Sequence, residues 1–172
     1  MKSTLVPFAN FVGTATPHLA CLPRAAASSG SITHSGSNAA ISEVCVTTAA
    51  GYNALPLTTA VTDLQVATIL ERSNDSAGYS ITLSSGNWSS GSGPAFKSAD
   101  SVDILPYTIQ YGTKAVSFSN GVATVTNNSS RTSAAGLSNS LTVSFDGTAV
   151  FLGAKSSGST YSDTLTFTII AK

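Results

Sequence analysis

The stretch Tyr161-Ser162-Asp163-Thr164-Leu165-Thr166-Phe167-Thr168-Ile169-Ile170 alternates apolar and hydroxyl side chains with a period of two. That period marks a strand with one face in a core. Tyr161, Leu165, Phe167 and Ile169 fall on one face, and Thr164, Thr166 and Thr168 on the other. A slip of one residue would put the whole apolar set in water, so the register is strongly specified. Gly158 and Ser159 supply a turn just upstream. The chain thus closes on a strand that has to pair inside a sheet.

The same period recurs upstream. Val44 and Val46 open a first strand, and Leu55-Pro56-Leu57 reads as an edge or a strand start because proline donates nothing to a ladder. Leu64-Gln65-Val66-Ala67-Thr68-Ile69-Leu70-Glu71 is apolar on both faces, as in a central strand. A helix is the alternative there, but Val, Thr and Ile are stiff against a helical turn, and Ser73-Asn74-Asp75-Ser76 stops the run after about two turns. Tyr79, Ile81 and Leu83 line one face of a half-buried strand. Residues 84–98 are rich in Ser and Gly and read as a surface loop whose large side chains are Trp88 and Phe96. Residues 103–111 alternate again through Leu105, Tyr107, Ile109 and Tyr111.

Val116 and Phe118 lead to Asn120-Gly121, a pair suited to the positive φ angles of a tight hairpin, with a return strand through Val122 and Val125. Residues 127–140 read as a polar loop. Leu141, Val143 and Phe145 alternate up to a second turn at Asp146-Gly147, and Val150-Phe151-Leu152 forms a short strand. The expectation is an all-β, antiparallel β-sandwich of about eight strands with turns roughly every ten residues.

Composition narrows the function. Charged residues make up 9% of the 172, with eight basic and eight acidic side chains and no net charge. Disorder requires high net charge with low hydrophobicity, and 42% of this chain is apolar. Nucleic acid binding requires clustered Lys and Arg, whereas these are scattered singly from Lys2 to Lys172. No run of eighteen apolar residues exists to span a membrane.

The start, Met1-Lys2 followed by an apolar run over 5–12 and then Ala25-Ala26-Ala27, reads as a secretory signal over 1–27. Leu19-Ala20-Cys21 is similar to a lipoprotein processing site, with His18 where that motif takes an aliphatic residue. Residues 28–39 form a Ser/Gly-rich flexible leader, and 40–172 the sandwich domain. The product is expected to be exported, to the periplasm, the cell surface or beyond.

No reactive constellation emerges. The two histidines, His18 and His34, both precede the first patterned strand, and no cofactor or metal site is expected. The nearest carboxylate pairs, Asp100 with Asp103 and Glu71 with Asp75, read better as turn and strand-end residues, and a calcium loop through Asp100 and Asp103 lacks ligands. Cys45, in Val44-Cys45-Val46, reads as a small buried apolar residue, and a bridge to Cys21 is the alternative. Asn74-Asp75-Ser76, Asn87-Trp88-Ser89 and Asn127-Asn128-Ser129-Ser130 match the glycosylation pattern, which arises easily by chance in a Ser-rich chain.

Two stretches carry a family likeness: Val66-Ala67-Thr68-Ile69-Leu70-Glu71-Arg72-Ser73-Asn74 leading into Gly78-Tyr79-Ser80-Ile81-Thr82-Leu83-Ser84-Ser85, and the closing Tyr161-Ser162-Asp163-Thr164-Leu165-Thr166-Phe167-Thr168. Over about 40–172 the chain resembles secreted bacterial proteins of the spore coat protein U and chaperone–usher pilin kind. The resemblance implies an immunoglobulin-like sandwich closed by a strand opening on Tyr161, Asp163 and Thr164. It also implies partners, a periplasmic chaperone or like subunits, that complete the sandwich by strand addition. A disulfide near the first strands is common in that family, and Cys45 is the one cysteine inside the domain here.

The leader over 28–38 offers little besides Ile32 to fill groove pockets. A self-complete, soluble domain, with the strand over 40–47 covering the terminal strand, is therefore the expectation. Two roles follow. The first is a non-enzymatic, pilus-like or coat-like structural subunit. The second is a binding module that presents Trp88 and Phe96 to a glycan or host surface.

Overall fold

A computed structural model describes residues 35–100, 103–147 and 160–172. The folded unit runs from Asn38 to Lys172. Among the described residues it is all β, with eleven strands and no helix. Strands β1 (Ser42–Thr48), β2 (Val61–Ser73), β9 (Leu137–Phe145), β6 (Thr108–Tyr111) and β7 (Lys114–Ala115) form one sheet in the order β1-β2-β9-β6-β7. A second sheet has the order β11-β3-β8, from β11 (Leu165–Ala171), β3 (Tyr79–Ser85) and β8 (Val122–Asn128). A small third sheet joins β10 (Tyr161–Ser162), β4 (Ala95–Ser98) and β5 (Ile104–Pro106), in the order β10-β4-β5. Every pairing is antiparallel. The count exceeds the expected eight because short pieces such as β4, β5, β7 and β10 carry little periodic signal of their own.

Alternation decides which side chains meet. On β3, Tyr79, Ile81 and Leu83 are fully buried while Ser80, Thr82 and Ser84 are half-exposed. Ala67 and Ile69 on β2, Ile109 and Tyr111 on β6, and Leu141, Val143 and Phe145 on β9 face them from the larger sheet, and Phe96, Leu105 and Tyr107 add to the same core. Phe96 stacks on Tyr107 with ring centroids 4.4 Å apart and meets Phe145 edge-on at 5.7 Å. Stacked and edge-on pairs add to the area buried by each ring.

Several expectations change. Residues 84–98 are not all loop, because β4 lies at their end and Phe96 on it is 8% exposed. Leu55-Pro56-Leu57 forms turns, with Leu57 N–H donating to the Leu55 carbonyl at 2.9 Å and Thr59 N–H to that of Pro56 at 3.2 Å. The Asn120-Gly121 turn forms at φ 50 and 81°. Its hairpin stops at a bridge between Ser119 and Val122, since β8 pairs with β3 and Val116 N–H donates to Ile109. The polar loop narrows to 129–136 because β8 runs to Asn128 and β9 starts at Leu137. Cys45 is exposed, not buried. The Val150-Phe151-Leu152 strand, the signal over 1–27 and most of the leader lie outside the described residues.

The closing stretch is two strands, not one. Tyr161 and Ser162 pair with Ser98 and Lys97 in the small sheet, while Leu165 to Ala171 pair with Ser85 to Tyr79 in the β3 sheet. Finally, β1 pairs along its whole length with β2, and it also runs within 8 Å of β11, Cα to Cα, without forming a hydrogen-bonded pair with it. Among the described residues no strand is hydrogen-bonded to the outer edge of β11.

Candidate functional site: an open cleft between two edge strands

Each edge strand places alternate side chains inward. On β1, Val44 lies opposite Glu71 and Val46 opposite Ile69; on β11, Leu165, Phe167 and Ile169 lie opposite Ser85, Leu83 and Ile81. The inner neighbours Ile69, Leu83 and Ile81 are fully buried, yet Val46 is 49% exposed and Leu165, Phe167 and Ile169 are half-exposed. The sandwich is sealed one strand in from its edge and only partly closed at the edge itself, where β1 approaches β11 without pairing with it. An apolar cleft of about 280 Å³ occupies the opening, with Val46 and Thr48 on one wall, Leu165 and Phe167 on the other, and Val66, Ala67, Leu141 and Val143 behind. Phe167 reaches inward far enough to bring its ring centroid 6.1 Å from that of Tyr111.

One end of the cleft is built by Asp163. The chain changes sheets at Asp163-Thr164, and the turn needs its polar groups satisfied. Asp163 Oδ2 accepts from Ser85 Oγ at 2.6 Å and from the Tyr107 hydroxyl at 2.5 Å, while Oδ1 accepts from the Asn87 N–H at 3.0 Å and the Thr164 N–H at 2.7 Å. Asn87 Nδ2 donates in turn to the Ser162 carbonyl at 2.7 Å. Burial, and then the bond to Asp163, hold the Tyr107 hydroxyl well above the ordinary tyrosine range. Beside Asp163 the cleft adjoins a second hollow of about 400 Å³ under the β1–β2 connection, and the two share Tyr52, Leu55, Phe96 and Asp163 as lining.

The residues singled out from the sequence therefore separate. Asp163, Thr164, Leu165 and Phe167 line the cleft. Tyr161 lines the adjoining hollow and donates to Asp103 Oδ2 at 3.3 Å. Ile169 lies further along the same face of β11. Phe96 forms part of the cleft floor from the core, so it is no loop anchor, and Trp88 is half-buried against the Asn120-Gly121 turn, where a Cβ on Gly121 would lie 3.6 Å from its ring. Three of the glycosylation-like asparagines are occupied: Asn74 with the backbone of Ala39 and Ile41, Asn87 with Ser162, and Asn128 with Tyr79. Glu71 and Asp75 do not work together, since Glu71 is buried and Asp75 Oδ1 accepts from the Ala77 N–H at 2.8 Å in a turn. No group of three or more His, Cys, Asp or Glu side chains able to hold a metal occurs among the described residues.

Val46 and the 52–57 connection were missed as cleft residues. Val46 carried a readable signal, since an inward valine on an edge strand needs a covering neighbour. Compared with protein-family models, curated proteins and solved structures, the chain matches none. No helix among the described residues is long and apolar enough to cross a membrane.

Proposed function

We propose that this chain is a non-enzymatic, exported structural subunit of pilus-like or coat-like type with an immunoglobulin-like sandwich, and that its cleft takes an extended strand from another polypeptide. One observation carries this reading: β1 and β11 both end their sheets, and their inward side chains stay half-exposed while the next strand in is fully buried. An inserted strand would pair with the free edge of β11 and place alternate apolar side chains over Val46, Leu165 and Phe167, the usual logic of strand addition. The occupant needs bulky apolar residues at every second position. Residues 28–38 supply Ile32 alone, so the reading favours a strand from a chaperone or from a like subunit over this leader.

Size-exclusion chromatography of the purified chain tests it, with two synthetic peptides added in turn. One carries residues 28–38, and the other is an eleven-residue strand of alternating Ile and Thr. The alternating peptide should form a stable 1:1 complex and raise the melting temperature, and the leader peptide should not. A stable monomer that binds neither peptide and needs no chaperone in expression would refute the reading.

A further inference from the structure

Glu71 is completely buried on β2, and its carboxylate is held by hydrogen bonds without an ion pair: the ion pair among the described residues joins Arg72 to Glu43 instead. Tyr79 OH donates to Oε2 at 2.7 Å, while Thr126 Oγ1 at 2.7 Å, Asn139 Nδ2 at 2.9 Å and the Tyr111 hydroxyl all donate to Oε1. Asn128 Nδ2 extends the network by donating to the Tyr79 oxygen at 2.8 Å. A buried charge is costly, and apolar side chains commonly serve stability as well or better. What this carboxylate does is fix five polar side chains from β3, β6, β8 and β9 in one orientation.

That orientation has an outward face. Asn139 and Asn128 both spend amide N–H groups on the network, which leaves their Oδ1 atoms as acceptors. Asn139 Oδ1 is turned toward Gly112, 3.2 Å from where a Cβ there would stand. Tyr111, Gly112, Thr126, Asn128 and Asn139 line a polar cleft of about 220 Å³, and Lys114 lines it as well. Gly112 has φ +60°, so a larger residue would both strain the turn and crowd the opening.

We propose that this cleft binds a single neutral sugar ring through its hydroxyl groups. The cleft mixes fixed amide acceptors with the donor side chain of Lys114, and a polyol is the ligand class that offers both functions on adjacent atoms without net charge. The volume falls below the roughly 300–1,000 Å³ of drug-sized sites, which fits one ring. Side chains locked by a buried network are pre-organised, so little ordering opposes binding. The site is independent of the strand-accepting cleft: Glu71 meets the start of β3 at Tyr79, Asp163 meets its end at Ser85, and these lie ~20 Å apart along the strand.

The test is an amide-resolved NMR titration of the 172-residue chain with the methyl β-glycosides of glucose, galactose and mannose, each up to ~100 mM, where even a Kd on the order of 10 mM approaches saturation. At least one glycoside should shift the amides of Gly112, Lys114, Asn128 and Asn139. Lys114→Ala, an exposed change, should weaken that binding about fivefold. If the chain self-associates, Val46→Asp, which charges the other cleft, is used as background. Absence of shifts with all three glycosides, shifts centred on Trp88, or equal binding by Lys114→Ala would each overturn the proposal.

Discussion

The Tyr107 hydroxyl meets Asp163 Oδ2 at 2.5 Å, at the point where the chain leaves the small sheet and enters the β3 sheet. Tyr107 lies between β5 and β6, so the bond ties two sheets to the crossing. Asp163→Ala should leave the Tyr107, Ser85, Asn87 and Thr164 donors without their acceptor and destabilise the domain by about 3 kcal/mol, with Tyr107→Phe costing about 1. Urea titration of the three proteins checks both values. Equal costs would mean that the other three donors do not share the load.

Phe167 faces inward but stays half-exposed, with no strand hydrogen-bonded beyond β11, so its truncation should cost less than a core change. We expect Phe167→Ala to cost about 2 kcal/mol, below the 3–5 typical of a fully buried Phe, and Leu83→Ala beside it to cost about 3–4. Thr166→Ala, on the exposed face, should cost under about 1. Adding a strand peptide that binds the cleft should raise the Phe167→Ala penalty alone. Denaturation with and without peptide measures all of this.

Alkali should unfold the domain by a nameable route. Burial, and then its bond to Glu71, push the Tyr79 hydroxyl up to about 12 from an ordinary 10. Tyr107 and Tyr111 are raised further, for the same reasons in the same order, with Asp163 and Glu71 as the respective partners. The fold therefore favours the neutral phenols. The contribution of Tyr79 is fully present below pH 10 and is lost as pH climbs from there through about 12, and those of Tyr107 and Tyr111 persist to higher pH. Melting temperatures across this range should fall steeply, and less steeply in Tyr79→Phe.

Val46→Asp should separate folding from assembly. The side chain is 49% exposed, so the domain should lose under about 1 kcal/mol. A carboxylate on the cleft wall should nonetheless weaken strand binding at least tenfold, because a bound strand would desolvate it. Calorimetry with the alternating peptide reads the affinity, and a thermal melt reads the fold.

Much of the fold was legible because alternation is a local property: β3, β9 and β11 each show their inward set directly in the sequence. Glu71 continues the inward series Ala67, Ile69 and was equally readable as a carboxylate aimed at the core, but its partners Tyr79, Tyr111, Thr126 and Asn139 come from four other strands and carry no joint signal. Phe96 was misplaced because β4 is four residues long, too short for a period. The break at Asp163 was invisible for a different reason. Tyr161 keeps the phase of Leu165 and Phe167 even though the two strands sit in different sheets. Cys45 was assigned to the core by its valine neighbours, when β1 is an edge strand exposed on its outer face.

The Asn74 clamp has a mechanical meaning. Its side chain accepts from the Ile41 N–H at 2.8 Å and donates to the Ala39 carbonyl at 2.6 Å, and its backbone N–H donates to the Ile41 carbonyl. The chain is thus gripped where it enters β1, at the end of β2. Tension applied through the residues before Ala39 in the direction of β1 would load the whole Ser42-to-Thr48 ladder against β2 in shear. A ladder pulled that way yields only when many bonds break at once. Pulled at right angles to β1 from one end instead, the same seven residues would unzip one pair at a time.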